Sequence, residues 1–464
     1  MNFALTLPVY FLFAVILYKI CKSDEAGKFY ALALGTLLFP MAGTFVAKPT
    51  IAPNHAFIYT YLFIELIQAV GKNHTNFKRI LYFPLFLIIA STITTILYTE
   101  GFDAKTFYVA ARDFCESYGY LIAAFIAGTK TQDDGIFSSF CKPIIILCGF
   151  AVLEVLIEYN IPYTFICSAY PNYDGFASLE KGGAFVEAWR IRAAVTTVHP
   201  TALGTLLSTL FAFYLPLWKR DIIPQRELNV TLVALVIAML VSGSRTSMLC
   251  AALVFGVFIY SKVNIYFKIL LAGIAIFSFG TAIAIAIDHF EDSNGSNLEL
   301  RREQLLFSVL TIQQSPIFGN GVQYTSKYIF ESNSDGTKGI ALGDDNENLG
   351  GLESIIFRKL IDYGFLGLGC FFAFLLYFQF YFLFHRKKTL YAHCGALVTL
   401  SLTVFLILSG TLANSIVYGF TILGFCLART RIAADSAAKD NKALEEPKAQ
   451  IEEPQEPQSI TATE

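Results

Sequence analysis

Five arginines and a few acids stand where an apolar chain has no routine use for them. Arg245 lies in "VSGSRTSML" (241–249), between apolar runs at 228–241 and 249–259. Arg190, Arg192 and His199 fall in "WRIRAAVTTVHPTALG" (189–204). Arg301 and Arg302 open "LRREQLLFSVLTIQQSPIFGNG" (300–321). Asp345, Glu347 and Glu353 belong to "LGDDNENLGGLESIIFRKLIDYGFLG" (342–367). A guanidinium is a planar, permanently charged fork that can take phosphate oxygens two at a time. Several forks converging on one spot suit a diphosphate. Glu353 sits at an apolar boundary, where desolvation can raise a carboxylate's basicity. It could then take a proton from an attacking hydroxyl.

Each of these residues also has a plainer reading. Arg245 could snorkel to an interface or pair with an acid of the long loop. His199 precedes Pro200, which fits a helix first turn, and its ring could simply hydrogen-bond there. Glu353 could be an N-cap or first-turn acid favoured by the helix dipole. The "DDNEN" run (344–348) offers oxygen ligands for a hard cation but lacks EF-hand spacing, so no metal is expected. Of the run, Asp345 and Glu347 remain candidate substrate contacts.

The elements that must position these side chains are set by composition. Of 464 residues, 55% are hydrophobic and only 15% charged, against about 25% charged in soluble proteins. Apolar blocks recur at a length that crosses a hydrocarbon core of about 30 Å as helix. The expected fold is therefore an all-α polytopic membrane protein with about 12–14 spans. These are read near 3–20, 29–47, 55–71, 80–98, 118–128, 136–157, 194–217, 228–243, 246–260, 266–287, 365–384, 393–409 and 412–428. The net charge of −2 gives no reason to expect nucleic acid. The nine cysteines form no CxxC, so neither a redox motif nor a zinc site is suggested.

Basic residues alternate along the connections. Lys19/Lys22/Lys28, Lys72/Lys78/Arg79, Lys130/Lys142, Lys219/Arg220/Arg226, Lys262/Lys268, Arg386/Lys387/Lys388 and Arg429/Arg431 make one set, which the positive-inside rule assigns to the cytoplasm. The external set then includes three long loops at about 99–117, 159–193 and 288–354, the last partly helical. All of the arginines singled out above face that side. The transmembrane domain is taken as 1–431. The tail at 432–464, rich in Glu, Pro, Gln and Ala, is expected to be disordered and cytoplasmic.

Three elements in this order resemble the O-antigen ligase and O-antigen polymerase superfamily of bacterial envelope glycosyltransferases. They are "RAAVTTVHPTALG", "SGSRTSML", and the long loop with "RREQLLFSVLTIQQSPIFGNG" followed by "ESIIFRKLIDYGFLG". The resemblance covers roughly 190–367; earlier helices match in hydropathy only. It implies a C-type glycosyltransferase-like fold, no cofactor, and metal-independent inverting transfer from a polyprenyl-diphosphate-linked oligosaccharide. By motif match, Arg192 and Arg245 would contact the donor diphosphate, with Arg301 or Arg302 a further arginine of the pattern. Ligase-like members carry a His-Asn pair where this chain has Glu353–Ser354, so the resemblance favours a polymerase, with Glu353 as base. Partners would be the lipid bilayer, the lipid-linked glycans and a chain-length regulator protein. The location would be the bacterial inner membrane, with the active site facing the periplasm. A ligase acting on lipid A–core or protein, and a flippase or transporter of lipid-linked glycan, stay open as alternatives. A transporter would place its charges near the bilayer midplane, whereas here they crowd one mouth.

Overall fold

The computed structural model describes residues 3–39, 43–44, 52–72, 79–99, 101, 103–131, 135–167, 169, 172–173, 185–187, 190–197, 199–262, 297–325, 341–342, 347–348, 354–387, 389–408 and 414–449. The first ten helices are α1 (Phe3–Lys22), α2 (Glu25–Leu38), α3 (Pro53–Lys72), α4 (Arg79–Thr99), α5 (Ala104–Lys130), α6 (Ile136–Ile157), α7 (Ile161–Cys167), α8 (Pro200–Tyr214), α9 (Gln225–Ser242) and α10 (Arg245–Lys262). The remainder are α11 (Asn297–Thr311), α12 (Ile355–His385), α13 (Leu390–Leu408) and α14 (Asn414–Ala449). Short antiparallel pairs decorate the links: β1 (Gly43–Thr44) with β2 (Asn172–Tyr173), β3 (Phe185–Glu187) with β4 (Arg190–Arg192), and β5 (Ala341–Leu342) with β6 (Glu347–Asn348).

Among the described residues, seven helices are long and apolar enough to cross a membrane: α4, α6, α8 with its 3-10 extension to Leu217, α9, α12, α13 and the first part of α14. That is fewer than the 12–14 expected, for identifiable reasons. Helix α2 stops at Leu38 instead of running to 47, because Phe39 turns extended (φ −95, ψ 115) ahead of Pro40, as residues before proline do. Helix α5 carries Lys105, Arg112, Asp113 and Glu116 in its first half. The expected span at 266–287 lies outside the described residues.

Several expected boundaries move. Most of the loop expected at 99–117 is helix, because Asp103 caps α5 by accepting from Lys105 N (3.3 Å) and Thr106 N (3.0 Å), which satisfies donors that a helix start leaves open. The span expected from 194 starts instead at Pro200, after a non-helical segment. The tail expected to be disordered is helical as far as Ala449. Its "AADSAAKDNKALEE" stretch is dominated by good helix formers, which continue α14 past its apolar part.

Packing puts small residues where helices approach most closely. A Cβ on Gly128 of α5 would lie 2.7 Å from Ala428 Cβ of α14, and one on Gly424 would meet the Leu121 carbonyl. Such stripes let helices in lipid pack backbone to backbone. Ion pairs join the basic connections at one end: Lys28 lies 3.1 Å from Glu25, and Lys130 reaches Glu65 and, at 3.5 Å, Glu25. At the other end the links meet through the β1–β2 pair, through Asn54 Nδ2 donating to Phe39 O (2.7 Å) and through Thr196 Oγ1 donating to Leu37 O (2.6 Å).

Candidate functional site

The segment between β4 and α8 has no strand or helix partners of its own, yet Ala193 through Thr197 are buried. Their polar groups must therefore be satisfied from elsewhere. Glu154, 1% exposed on α6, does much of this. Its carboxylate accepts from Ala194 N (3.1 and 3.2 Å), Val195 N (2.8 Å) and Asn160 Nδ2 (3.0 Å). Asn160 Nδ2 also donates to Val195 O (2.8 Å), and its Oδ1 accepts from Tyr163 N. This grip holds Val195 at φ 50, a conformation costly for a β-branched residue.

The clamped segment brings Arg192 to the α9–α10 hairpin. Ala193 N donates to Val241 O (3.2 Å) and Arg192 Nε to Ser242 O (3.1 Å). Helix α9 ends at Gly243 in the left-handed region (φ 61), where glycine carries no side-chain penalty. Ser244 follows, and Arg245 opens α10 with its side chain exposed. Arg245 has no hydrogen bond or ion pair among the described residues. Helix α8 presses against the same turn: a Cβ on Gly204 would lie 2.7 Å from both Ser244 Cβ and Ser247 Oγ. The "HPTALG" and "SGSRTS" motifs are thus in direct contact, and Arg192 is bonded to the short turn that carries Arg245.

His199 has a local duty. It is the N-cap of α8 (φ −148, ψ 143), its Nδ1 accepting from Thr201 N (3.1 Å), with Pro200 at the first helical position. Arg190 pairs through its backbone with Glu187 in the β3–β4 hairpin, and Glu347 lies in β6 opposite Leu342. Arg301 and Arg302 lie on the first part of α11. The side chains of these four residues, and Asp345 and Glu353 entirely, lie outside the described residues. The cap next to Glu353 is Ser354, whose Oγ accepts from Ile356 N (3.3 Å) and donates to Ile407 O (3.2 Å).

The third motif closes on itself. Helix α12 breaks at Gly364 (φ 64, ψ −166), a backbone state open only to glycine. The "SPIFGNG" turn fills the break: Phe365 N donates to Pro316 O (2.9 Å), Leu366 N to Ile317 O (3.0 Å) and Asn320 N to Ile361 O (2.9 Å). Gly319 (φ +74) and Gly364 face each other, and a Cβ on either would strike the other segment's backbone. The loop after α11 is thereby locked to the membrane helix.

Beside this lock lies a group of charges that sequence reasoning missed. From α12 come Arg358, Lys359, Asp362 and Tyr363, from α5 come Arg112, Asp113 and Glu116, and from α3 come His55 and Tyr59. The sequence places "ARDFCES" in the external loop at about 99–117, where charges are ordinary; charges in an otherwise apolar helix are the signal that marks them. Among the described residues no three His, Cys, Asp or Glu side chains are placed to hold a metal ion.

An apolar cavity of about 90 Å³ lies between α2, α6, α8 and α14, lined by Phe29, Leu37, Phe137, Leu206, Tyr418 and Phe425 among others. Leu37 at its rim is the residue whose carbonyl holds Thr196. The helices define an all-α multi-pass membrane protein. No protein-family model matches the sequence, and no curated protein matches it at a significant level.

Proposed function

We propose that the protein is a polysaccharide polymerase that joins polyprenyl-diphosphate-linked oligosaccharide repeat units at the outer face of the bacterial inner membrane. The observation that carries the reading is the convergence of Arg192 and Arg245 on one hairpin turn. Arg192 is tied to Ser242 O, three residues ahead of the exposed Arg245. The two residues are far apart in sequence, and the bonds that join them involve a segment clamped by Glu154. The polar end of the bundle is, by the distribution of basic connections, the periplasmic one.

In this reaction the acceptor hydroxyl oxygen attacks the anomeric carbon of the donor glycan. A new glycosidic C–O bond forms as the C–O bond to the diphosphate breaks, with inversion. The hydroxyl proton passes to a base, for which Glu353 is the candidate. Negative charge grows on the departing diphosphate, and fixed guanidinium groups stabilise that charge most in the transition state. Arg192 is oriented before the substrate arrives, and so needs no reorganisation at the moment of reaction. Arg301, Arg302, Arg190, Asp345 and Glu347 are the loop residues that would contact the diphosphate or the sugars.

The test uses purified protein in nanodiscs with a matched polyprenyl-diphosphate-linked repeat unit and no nucleotide sugar. A ladder of longer lipid-linked glycans, lost in Arg245→Lys, is expected. Transfer seen only after lipid A–core is added would replace the polymerase with a ligase. No transfer in either case would overturn the glycosyltransferase reading.

A further inference from the structure

The charged group beside the Gly319–Gly364 lock is continuous across three helices and a loop. Glu116 accepts from Tyr59 Oη (2.9 Å) and lies 3.2 Å from His55 Nδ1 and 3.5 Å from Arg112 Nε. Arg112 also lies 3.5 Å from Asp113, and Asp113 accepts from Gln323 Nε2. Two residues on, Thr325 donates to Asp362 through its backbone N (2.8 Å) and its Oγ1 (2.6 Å). Lys359 lies over the Tyr363 ring at 4.4 Å, within the electrostatic influence of Asp362 and Asp113. It makes no hydrogen bond or ion pair of its own among the described residues.

Two features separate this group from a structural ion network. First, it is open: the side chains of Arg112, Asp113, Glu116 and His55 keep 33%, 32%, 19% and 20% of their surface. Ionisable groups among membrane helices are costly and mark functional sites by default, and apolar packing often does as well as a buried ion pair for the fold alone. Second, among the described residues it is balanced: Arg112, Arg358 and Lys359 stand against Asp113, Glu116 and Asp362. Three cations against three carboxylates do not select an anion, which distinguishes this group from the Arg192–Arg245 turn. What it presents is a dense mixture of donors and acceptors with two tyrosine rings. That mixture matches a neutral ligand rich in hydroxyls, each of which both donates and accepts, with an aromatic face for its apolar side.

We propose that this cluster is a saccharide subsite, which takes the glycan of the lipid-linked substrate while the Arg192–Arg245 turn takes its diphosphate. The assignment rests on the polymerase reading for the identity of the sugar, but saccharide binding is measured without any transfer. The 313–325 loop belongs to the subsite through Gln323 and Thr325, so its lock onto Gly364 fixes the subsite's shape before ligand arrives. Lys359 supplies ammonium donors that no described residue takes up, and His55 and Tyr59 hold Glu116 in place to accept.

The probe is the oligosaccharide released by mild acid from the polyprenyl diphosphates of the cell that makes the protein. Saturation-transfer NMR against the full chain in nanodiscs reads its binding. Lys359→Gln and His55→Gln are expected to weaken binding about ten-fold to a hundred-fold, the range of a lost hydrogen bond involving a charged group. Arg245→Lys should leave binding of this diphosphate-free sugar unchanged. Tyr59→Phe removes one hydroxyl and should weaken binding several-fold, which covers failure of the charge variants to fold. In the ladder assay the same variants should raise KM for the lipid-linked glycan with kcat largely retained, a split that a merely structural role would not produce. No saturation transfer to the wild-type chain's ligand, or wild-type affinity in all three cluster variants, overturns the subsite. Sugar binding without any ladder sinks the polymerase and leaves the subsite standing. A ladder with unaltered KM in the variants does the reverse.

Discussion

Glu154→Gln isolates the clamp that presents Arg192. The substitution is nearly isosteric and leaves the apolar surroundings on α6 untouched. The native carboxylate accepts from two backbone N–H groups, Ala194 at 3.1 Å and Val195 at 2.8 Å on the same oxygen, and from Asn160 Nδ2 on the other. An amide keeps one acceptor oxygen and turns an NH2 group toward the remaining donors. At least one buried donor is left without an acceptor, which costs about 1–3 kcal/mol. Val195 is held at φ 50 by this carboxylate together with Asn160, itself bonded to Glu154, so the loss falls on opening of the 193–197 segment. Since about 1.4 kcal/mol is ten-fold in an equilibrium, the opened state should rise roughly ten-fold to a hundred-fold. Hydrogen–deuterium exchange of the peptide spanning 190–199 should quicken accordingly, while peptides from α13 should not change. Transfer should fall with it, because Arg192 loses its register against Ser242. Unchanged exchange at 190–199 together with full transfer would show that the clamp does not position the arginine.

Three further outcomes follow from the same geometry. Arg245→Lys keeps the charge and loses the fork; because Arg245 is exposed, the thermal midpoint should stay within the small range of surface changes, about 0.5 kcal/mol, while product formation collapses. Gly204→Ala places a Cβ 2.7 Å from Ser244 Cβ and should destabilise by about 1–3 kcal/mol through overpacking, read as a lowered thermal midpoint that Ser244→Gly added in the same chain partly restores. Asp103 accepts from the side chain and backbone of Thr106 and from Lys105 N, and these bonds hold its carboxyl below the usual carboxylate range. Its contribution to the start of α5 is therefore present above about pH 4 and fades as pH falls through the lowered value. Exchange at Lys105 and Thr106 should quicken only in that acid range in the native chain, and at neutral pH in Asp103→Ala.

Local chemistry was legible in the sequence. The apolar runs at 136–157 and 80–98 return as α6 and α4 with almost the same bounds, because hydropathy over about 20 residues is enough to specify a spanning helix. The His-Pro pair at 199–200 and Gly243 mark a helix start and a helix end for reasons confined to their own backbone. The end of α2 was misplaced because 39–47 stays apolar past the proline that halts the helix. The run of α5 through 104–117 was missed because its charges read as solvated, although they meet partners on α3 and on the 313–325 loop.

What the sequence determined is therefore the all-α multi-pass class, the bounds of spans such as 80–98 and 136–157, and the His-Pro start of α8, each a matter of short-range periodicity or backbone preference. Only the tertiary structure decided that Arg192 is bonded to the turn that carries Arg245, that Glu154 on another helix holds the segment after Arg192, and that Gly319 and Gly364 close on one another. It alone joined the charges of α3, α5 and α12 into one group. Contacts of this kind depend on how whole helices pack, with glycines allowing backbones to within touching distance and buried polar groups forced to find any acceptor in reach. No property of a residue's own neighbours in the chain carries that information.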